Sequence, residues 1–117
     1  MLMRRILVLV GIIFILLLSA SAQTVSAGVI SGGSSGRRQH AVQLNWTAPS
    51  GTVTSYNVYK SQSSGSFGTA YQTGITTTAF LDRKVNDGQT YYYAVTAVNS
   101  SGEGPKSTQI SANIPTP

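Results

Sequence analysis

Residues Val85 to Gly104 read Val-Asn-Asp-Gly-Gln-Thr-Tyr-Tyr-Tyr-Ala-Val-Thr-Ala-Val-Asn-Ser-Ser-Gly-Glu-Gly. Asn86-Asp87-Gly88 punctuates the chain. Thr90 to Val98 is then dense in aromatic and β-branched residues, which suit a pleated, half-buried surface. Asn99-Ser100-Ser101-Gly102 closes the segment. A turn, a strand and a second turn follow from this order. A strand this apolar needs a sheet around it and a second layer to cover it.

The neighbouring segments repeat the pattern. His40 to Thr47 alternates, with Val42, Leu44 and Trp46 on one face and Ala41, Gln43, Asn45 and Thr47 on the other. Period two over eight residues predicts a strand. Ala48-Pro49-Ser50-Gly51 ends it. Thr52 to Ser61 predicts the next strand, with Tyr56 and Val58 sharing a face opposite Asn57 and Tyr59. Ala70–Thr73 predicts a short edge strand, and Thr76–Leu81 another, anchored by Phe80. Thr108–Ile114 predicts the last, with Ile110, Ala112 and Ile114 together. Six or seven antiparallel strands with turns every 8–12 residues predict an all-β, immunoglobulin-like two-sheet sandwich.

The N-terminus bounds the compartment. Arg4 and Arg5 precede an apolar run from Ile6 to Leu18, and Ser19-Ala20-Ser21-Ala22 follows. These are the parts of a secretory signal peptide over residues 1–22. The alternative is an uncleaved anchor, but about 13 apolar residues fall short of the roughly 20 that span a bilayer. A secreted chain, extracellular or periplasmic, is expected, with the membrane met only through the signal. Residues 23–39 hold Ser-Gly-Gly-Ser-Ser-Gly and an Arg pair, and read as a linker. Val25, Val29 and Ile30 could form a short first strand there. The domain then occupies residues 40–114, and residues 115–117 form a Pro-Thr-Pro tail.

Composition excludes several functions. The chain has no Cys, so no disulfide or cysteine lipid anchor is available. Residues 23–117 carry six Lys and Arg against three acids, a formal +3. With charged residues at 9%, the nucleic-acid footprint of a basic face is missing. The one His, His40, would need a nucleophile and an orienting acid nearby to act as a base. Asp82 and Asp87 flank a turn, where Asp commonly accepts from backbone donors. No spacing suits a metal or a carboxylate pair. The expectation is a monomeric, non-catalytic domain without cofactor or metal.

Several motifs together resemble the fibronectin type III family over about residues 40–114. Val42-x-Leu44-x-Trp46-x-Ala48-Pro49 is similar to its second strand, with Trp46 as the core tryptophan. Val53-x-x-Tyr56-x-Val58-Tyr59 is similar to the third strand, and Phe80-x-Asp82 with Val85 to the fifth and its crossing. Gly88-x-x-Tyr91 resembles the tyrosine corner, which implies that the Tyr91 hydroxyl returns to nearby backbone. Asn99-x-x-Gly102-Glu103-Gly104-x-x-Ser107 resembles the last loop. The family's Pro-led first strand has no counterpart in residues 23–39, which implies a frayed or absent first strand and an open sheet edge. The Tyr run and Thr-rich segment look most like bacterial members, which decorate secreted enzymes and surface proteins.

The resemblance turns Tyr91, Tyr93, Val95 and Ala97 inward, with Val42, Leu44, Trp46, Tyr56, Val58, Phe80 and Ile110. Tyr92 then faces out. A register that sets Val58 against Tyr93 puts Tyr59 beside Tyr92 on the outer face, with Tyr71 near the edge. Flat amphipathic rings suit contact with a protein or a polysaccharide. The same pair could equally be a cross-strand contact that only stabilises the sheet. The tip Ser100, Ser101, Gly102 and Glu103 is a second candidate contact, or a plain tight turn. The functional expectation is an exported module making protein or glycan contacts, or else an inert spacer within a longer secreted carbohydrate-active or surface protein.

Overall fold

The computed structural model describes residues 25–32 and 39–116. The signal peptide, the Gly/Ser-rich stretch with Arg37 and Arg38, and Pro117 lie outside the described residues. Eight strands occur in chain order: β1 Val25–Gly32, β2 Gln39–Trp46, β3 Ser55–Ser61, β4 Gln72–Ile75, β5 Ala79–Asp82, β6 Thr90–Asn99, β7 Gly102–Glu103 and β8 Ile110–Asn113. They form two antiparallel sheets, one ordered β1-β2-β5 and the other β4-β3-β6-β7, with β8 also paired to β6.

The core sits between the sheets. Val42, Leu44, Trp46, Tyr56, Val58, Tyr91, Tyr93, Val95, Ala97, Ala112 and Ile114 form one buried cluster. Phe80 and Ile110 are half-buried and pack against it. Strand parity explains the membership: the even residues of β2 and β3 and the odd residues of β6 face inward. Trp46 and Tyr56 meet edge to face, with centroids 5.4 Å apart and planes at 66°.

The first strand departs from expectation. It is neither frayed nor absent: β1 pairs with β2 through eight consecutive positions, from Val25↔Trp46 to Gly32↔Gln39. Val25, Ala27 and Val29 alternate inward onto the core. Small residues between them make the stretch look like linker by composition, yet the backbone ladder needs only period-two apolar spacing. The last strand is interrupted instead. β7 and β8 pair with opposite ends of β6, and Pro105, which has no N–H to donate, falls between them. Gly104 N and Ser107 N still donate to Ala97 O and Val95 O across the gap. The short middle strands also start later than expected, at Gln72 and Ala79.

The crossing from β5 to β6 carries the corner that the sequence announces. Asn86 N donates to Tyr91 Oη at 2.9 Å. Gly88 has φ +75, and its N–H donates to Ile114 O. A side chain there would be strained by the left-handed backbone and would meet Thr116 at 3.3 Å.

Candidate functional site

Two tyrosine–carboxylate clusters dominate the polar chemistry. The first lies between the sheets. Asp82 sits two residues after Phe80, so it shares the inward face of β5, and it is 1% exposed. Its Oδ2 accepts from Lys60 Nζ at 2.8 Å and from Tyr93 Oη at 2.6 Å. Its Oδ1 accepts from Tyr71 Oη at 2.9 Å and from Lys84 N at 3.0 Å. Lys60 donates also to Lys84 O, and its ammonium lies 4.6 Å and 4.7 Å from the Tyr71 and Tyr91 ring centres. A buried carboxylate is tolerable only when its lone pairs are filled, and here four donors fill them.

Burial alone would raise the Asp82 pKa. The bonds from Lys60, Tyr93, Lys84 N and Tyr71 together outweigh it and hold the carboxyl below its ordinary value of 3.8. Burial and the bond to Asp82 push Tyr71 up to about 12. Tyr93 moves further in the same direction, for the same two causes.

The second cluster lies on the outer face of the β4-β3-β6-β7 sheet. Glu103 Oε2 accepts from Thr96 Oγ1 at 2.6 Å, from Asn57 Nδ2 at 3.0 Å and from Tyr59 Oη. The Tyr59 ring meets Phe67 edge to face at 6.4 Å, and Lys106 Nζ stands 4.4 Å from its centre. The 62–68 loop is anchored across this face: Gly65 N donates to Gln109 Oε1, and Gln109 Nε2 donates to Ser64 Oγ. Burial raises the Tyr59 hydroxyl, the Glu103 bond adds to it, and the pKa reaches about 12. Burial opposes ionisation of Glu103, but the Thr96, Tyr59 and Asn57 bonds and the Lys106 charge hold it below 4.5.

This geometry overturns the expected tyrosine pair. The register sets Val58 against Val95, Tyr59 against Ala94 and Ser61 against Tyr92. A slip of two residues keeps every side chain on its face, so parity was right while adjacency was wrong. Tyr59 is 7% exposed, covered by Phe67 and Lys106 rather than open to solvent. Tyr92 is half-buried. Tyr71 is 36% exposed, but it closes the flank between the sheets, with its ring edge-on to Phe80 at 6.2 Å. Ser100 and Ser101 are exposed in the β6–β7 turn, where Ser101 N donates to Asn99 Oδ1. Gly102 (φ +128) starts β7, and the Glu103 carboxylate is committed to bonds inside the domain.

Sequence reasoning gave Lys60, Thr96 and Lys106 no site role, and read Asp82 as a strand-end residue beside a turn that accepts from backbone donors. The signal for the first cluster was parity. Lys60 is two residues from Val58 and Asp82 two from Phe80, so both had to point inward and needed each other. Nothing comparable marks the outer cluster, whose parts depend on the path of a loop.

The clusters predict a domed pH profile. Asp82 and Glu103 have lowered folded pKa values, so the stability they supply is present above about pH 5 and is lost as acid approaches and passes 4.5 and 3.8. Tyr59 and Tyr71 have raised values, so their contribution is whole below pH 10.0 and is lost as pH rises toward about 12. Urea midpoints measured across pH should fall at both ends. Tyr59→Phe should flatten the alkaline limb, and a limb unchanged in Tyr59→Phe/Tyr71→Phe would refute the assignment.

A two-sheet immunoglobulin-like sandwich, closed at one end by a tyrosine corner, is the class that fold and site define. The sequence pattern of the fibronectin type III domain matches residues 33–113, and the chain belongs to that family. It is 32% identical over 82 residues, 70% of the chain, to an amylopullulanase from Thermoanaerobacterium saccharolyticum, and covers 6% of that enzyme's length. Among solved structures it is similar to an Fn3-like protein from Clostridium thermocellum. That match has 34% identity, covers 83% of this chain and 98% of the other, and has a TM-score of 0.59. A pectate lyase from Erwinia chrysanthemi, solved with tetragalacturonic acid, shares the fold over 74% of this chain and 28% of its own. It has 19% identity and a TM-score of 0.55.

Proposed function

We propose that the chain is an exported, non-catalytic fibronectin type III module of a carbohydrate-active protein, acting as a rigid spacer. The similarity to a small part of an amylopullulanase supports the module and its setting. The apolar run after Arg4 and Arg5 supports export. The observation that carries the spacer reading is the sequestration of Tyr59, with its hydroxyl on Glu103 and its ring under Phe67 and Lys106. A ring spent on internal packing offers no face to a sugar. Two satisfied carboxylate clusters also stiffen both layers of the sandwich.

Affinity electrophoresis of the purified chain in gels containing starch, pectin or β-glucan tests this. Unretarded migration in every gel is expected. Retardation corresponding to a Kd tighter than about 1 mM would overturn the spacer reading. A contact role is then the alternative, favoured by the 36% exposure of Tyr71 and by the exposed Ser100 and Ser101 beside Gly102. Loss of retardation in Tyr71→Ala or in Ser100→Ala/Ser101→Ala would assign that contact to one surface or the other.

A further inference from the structure

Ser31, His40 and Asp87 converge from three separate elements. Ser31 and His40 are cross-strand partners in the β1–β2 ladder, and Asp87 lies in the turn before β6. Ser31 Oγ is 2.7 Å from His40 Nδ1, and His40 Nε2 is 3.4 Å from Asp87 Oδ1. The His40 side chain is 2% exposed and that of Asp87 35%. Ser31 is exposed. The sequence offered His40 neither a nucleophile nor an acid; the fold supplies both.

The tautomer follows from the acceptor. A carboxylate can only accept, so the proton of the neutral imidazole belongs on Nε2, toward Asp87. At 3.4 Å the carboxylate lies within ion-pair range, but the buried Nε2 makes no hydrogen bond to it, so Asp87 acts on the ring through its charge alone. Nδ1 then carries the lone pair, and the Ser31 hydroxyl donates to it. Nucleophile, base and orienting acid stand in the order used by activated serines, with the two ring nitrogens exchanged relative to the familiar protease arrangement.

We propose that Ser31 is a nucleophilic serine that accepts an acyl group from small activated esters. Oγ attacks the carbonyl carbon while its proton passes to His40 Nδ1. The bond from that carbon to the leaving oxygen breaks, and the departing alcohol takes the proton from Nδ1. The products are O-acyl-Ser31 and the free alcohol, with no change of oxidation state. A small acyl group suits the site, because the base is buried while Ser31, which bonds it, is exposed. Asp87 is a positioning residue, acting through the imidazole. The proposal is independent of the spacer reading.

The test treats the full chain with p-nitrophenyl acetate and maps acetylated serines by mass spectrometry over time. Ser31 should label faster than the exposed Ser63 and Ser101. His40→Gln should slow Ser31 labelling about 100-fold, the scale of a lost general base. Asp87→Asn should slow it severalfold while leaving Ser63 and Ser101 rates and the far-ultraviolet spectrum unchanged. Should His40→Gln fail to fold, Asp87→Asn alone decides. Ser31 labelling no faster than at the other serines, or undiminished in Asp87→Asn, overturns the proposal.

Discussion

Asp82→Ala is expected to cost about 3–5 kcal/mol of folding stability, the cost of breaking a buried ion pair by removing one partner. The carboxylate is 1% exposed and takes four donors. Its loss strands the Lys60 ammonium, whose side chain is 11% exposed, and leaves the buried Tyr93 hydroxyl without an acceptor. Lys60→Met/Asp82→Ala should recover part of the loss, because no uncompensated charge remains inside. Tyr93→Phe should cost less, about 1–3 kcal/mol, since it removes one donor and leaves Asp82 three others. Urea unfolding followed by circular dichroism measures all three. A double variant as unstable as Asp82→Ala alone would show that packing around the carboxylate, rather than the stranded ammonium, sets the cost.

The same cluster shows where sequence reading works and where it stops. A period of two sorts residues into faces, and the family resemblance then says which face is inward, so Trp46, Tyr56, Val58, Tyr91, Tyr93, Val95 and Ala97 are expected in the core, where they lie. The family resemblance located the corner at Tyr91 and its return to nearby backbone, which the structure identifies as Asn86 N. Register is a different kind of quantity. It depends on which residues lie opposite across a long connection, and a two-residue slip leaves every face unchanged. The Tyr59–Tyr92 pair failed on that slip, because Tyr59 stands against Ala94. The cover over Tyr59 was less legible still. Phe67 belongs to a Ser/Gly loop whose path is set by bonds from Ser64 and Gly65 to Gln109, 45 and 44 residues away. The first strand fell between these cases: its apolar residues alternate, but Gly and Ser between them imitate a linker.

The loop over Tyr59 also bears on function. An aromatic ring presented to a ligand must lose water on binding and keep a rigid face free. Tyr59 meets neither condition, since Phe67, Lys106 and Glu103 already occupy its edge, face and hydroxyl. The outer sheet therefore gains stiffness where an open platform would have gained contacts. A spacer benefits from that exchange, because its task is to hold a fixed geometry.

Trp46→Ala should cost about 3–5 kcal/mol, the range for removing a large buried aromatic. Trp46 is 6% exposed at the end of β2, paired across the ladder with Val25 of β1 and edge-on to Tyr56 of the opposite sheet. It therefore ties the first strand to both layers at once, and truncation opens a void at the end of the core that neighbouring backbone cannot close. A domain of this size has only about 5–15 kcal/mol in total and no disulfide to fall back on. The variant should unfold at markedly lower urea, with hydrogen exchange rising first along β1, whose inward residues Val25, Ala27 and Val29 are already only half-buried. Trp46→Phe retains most of the ring contact and should lose far less. Equal losses in the two variants, or exchange that rises uniformly over both sheets, would show that Trp46 does not hold β1 in place.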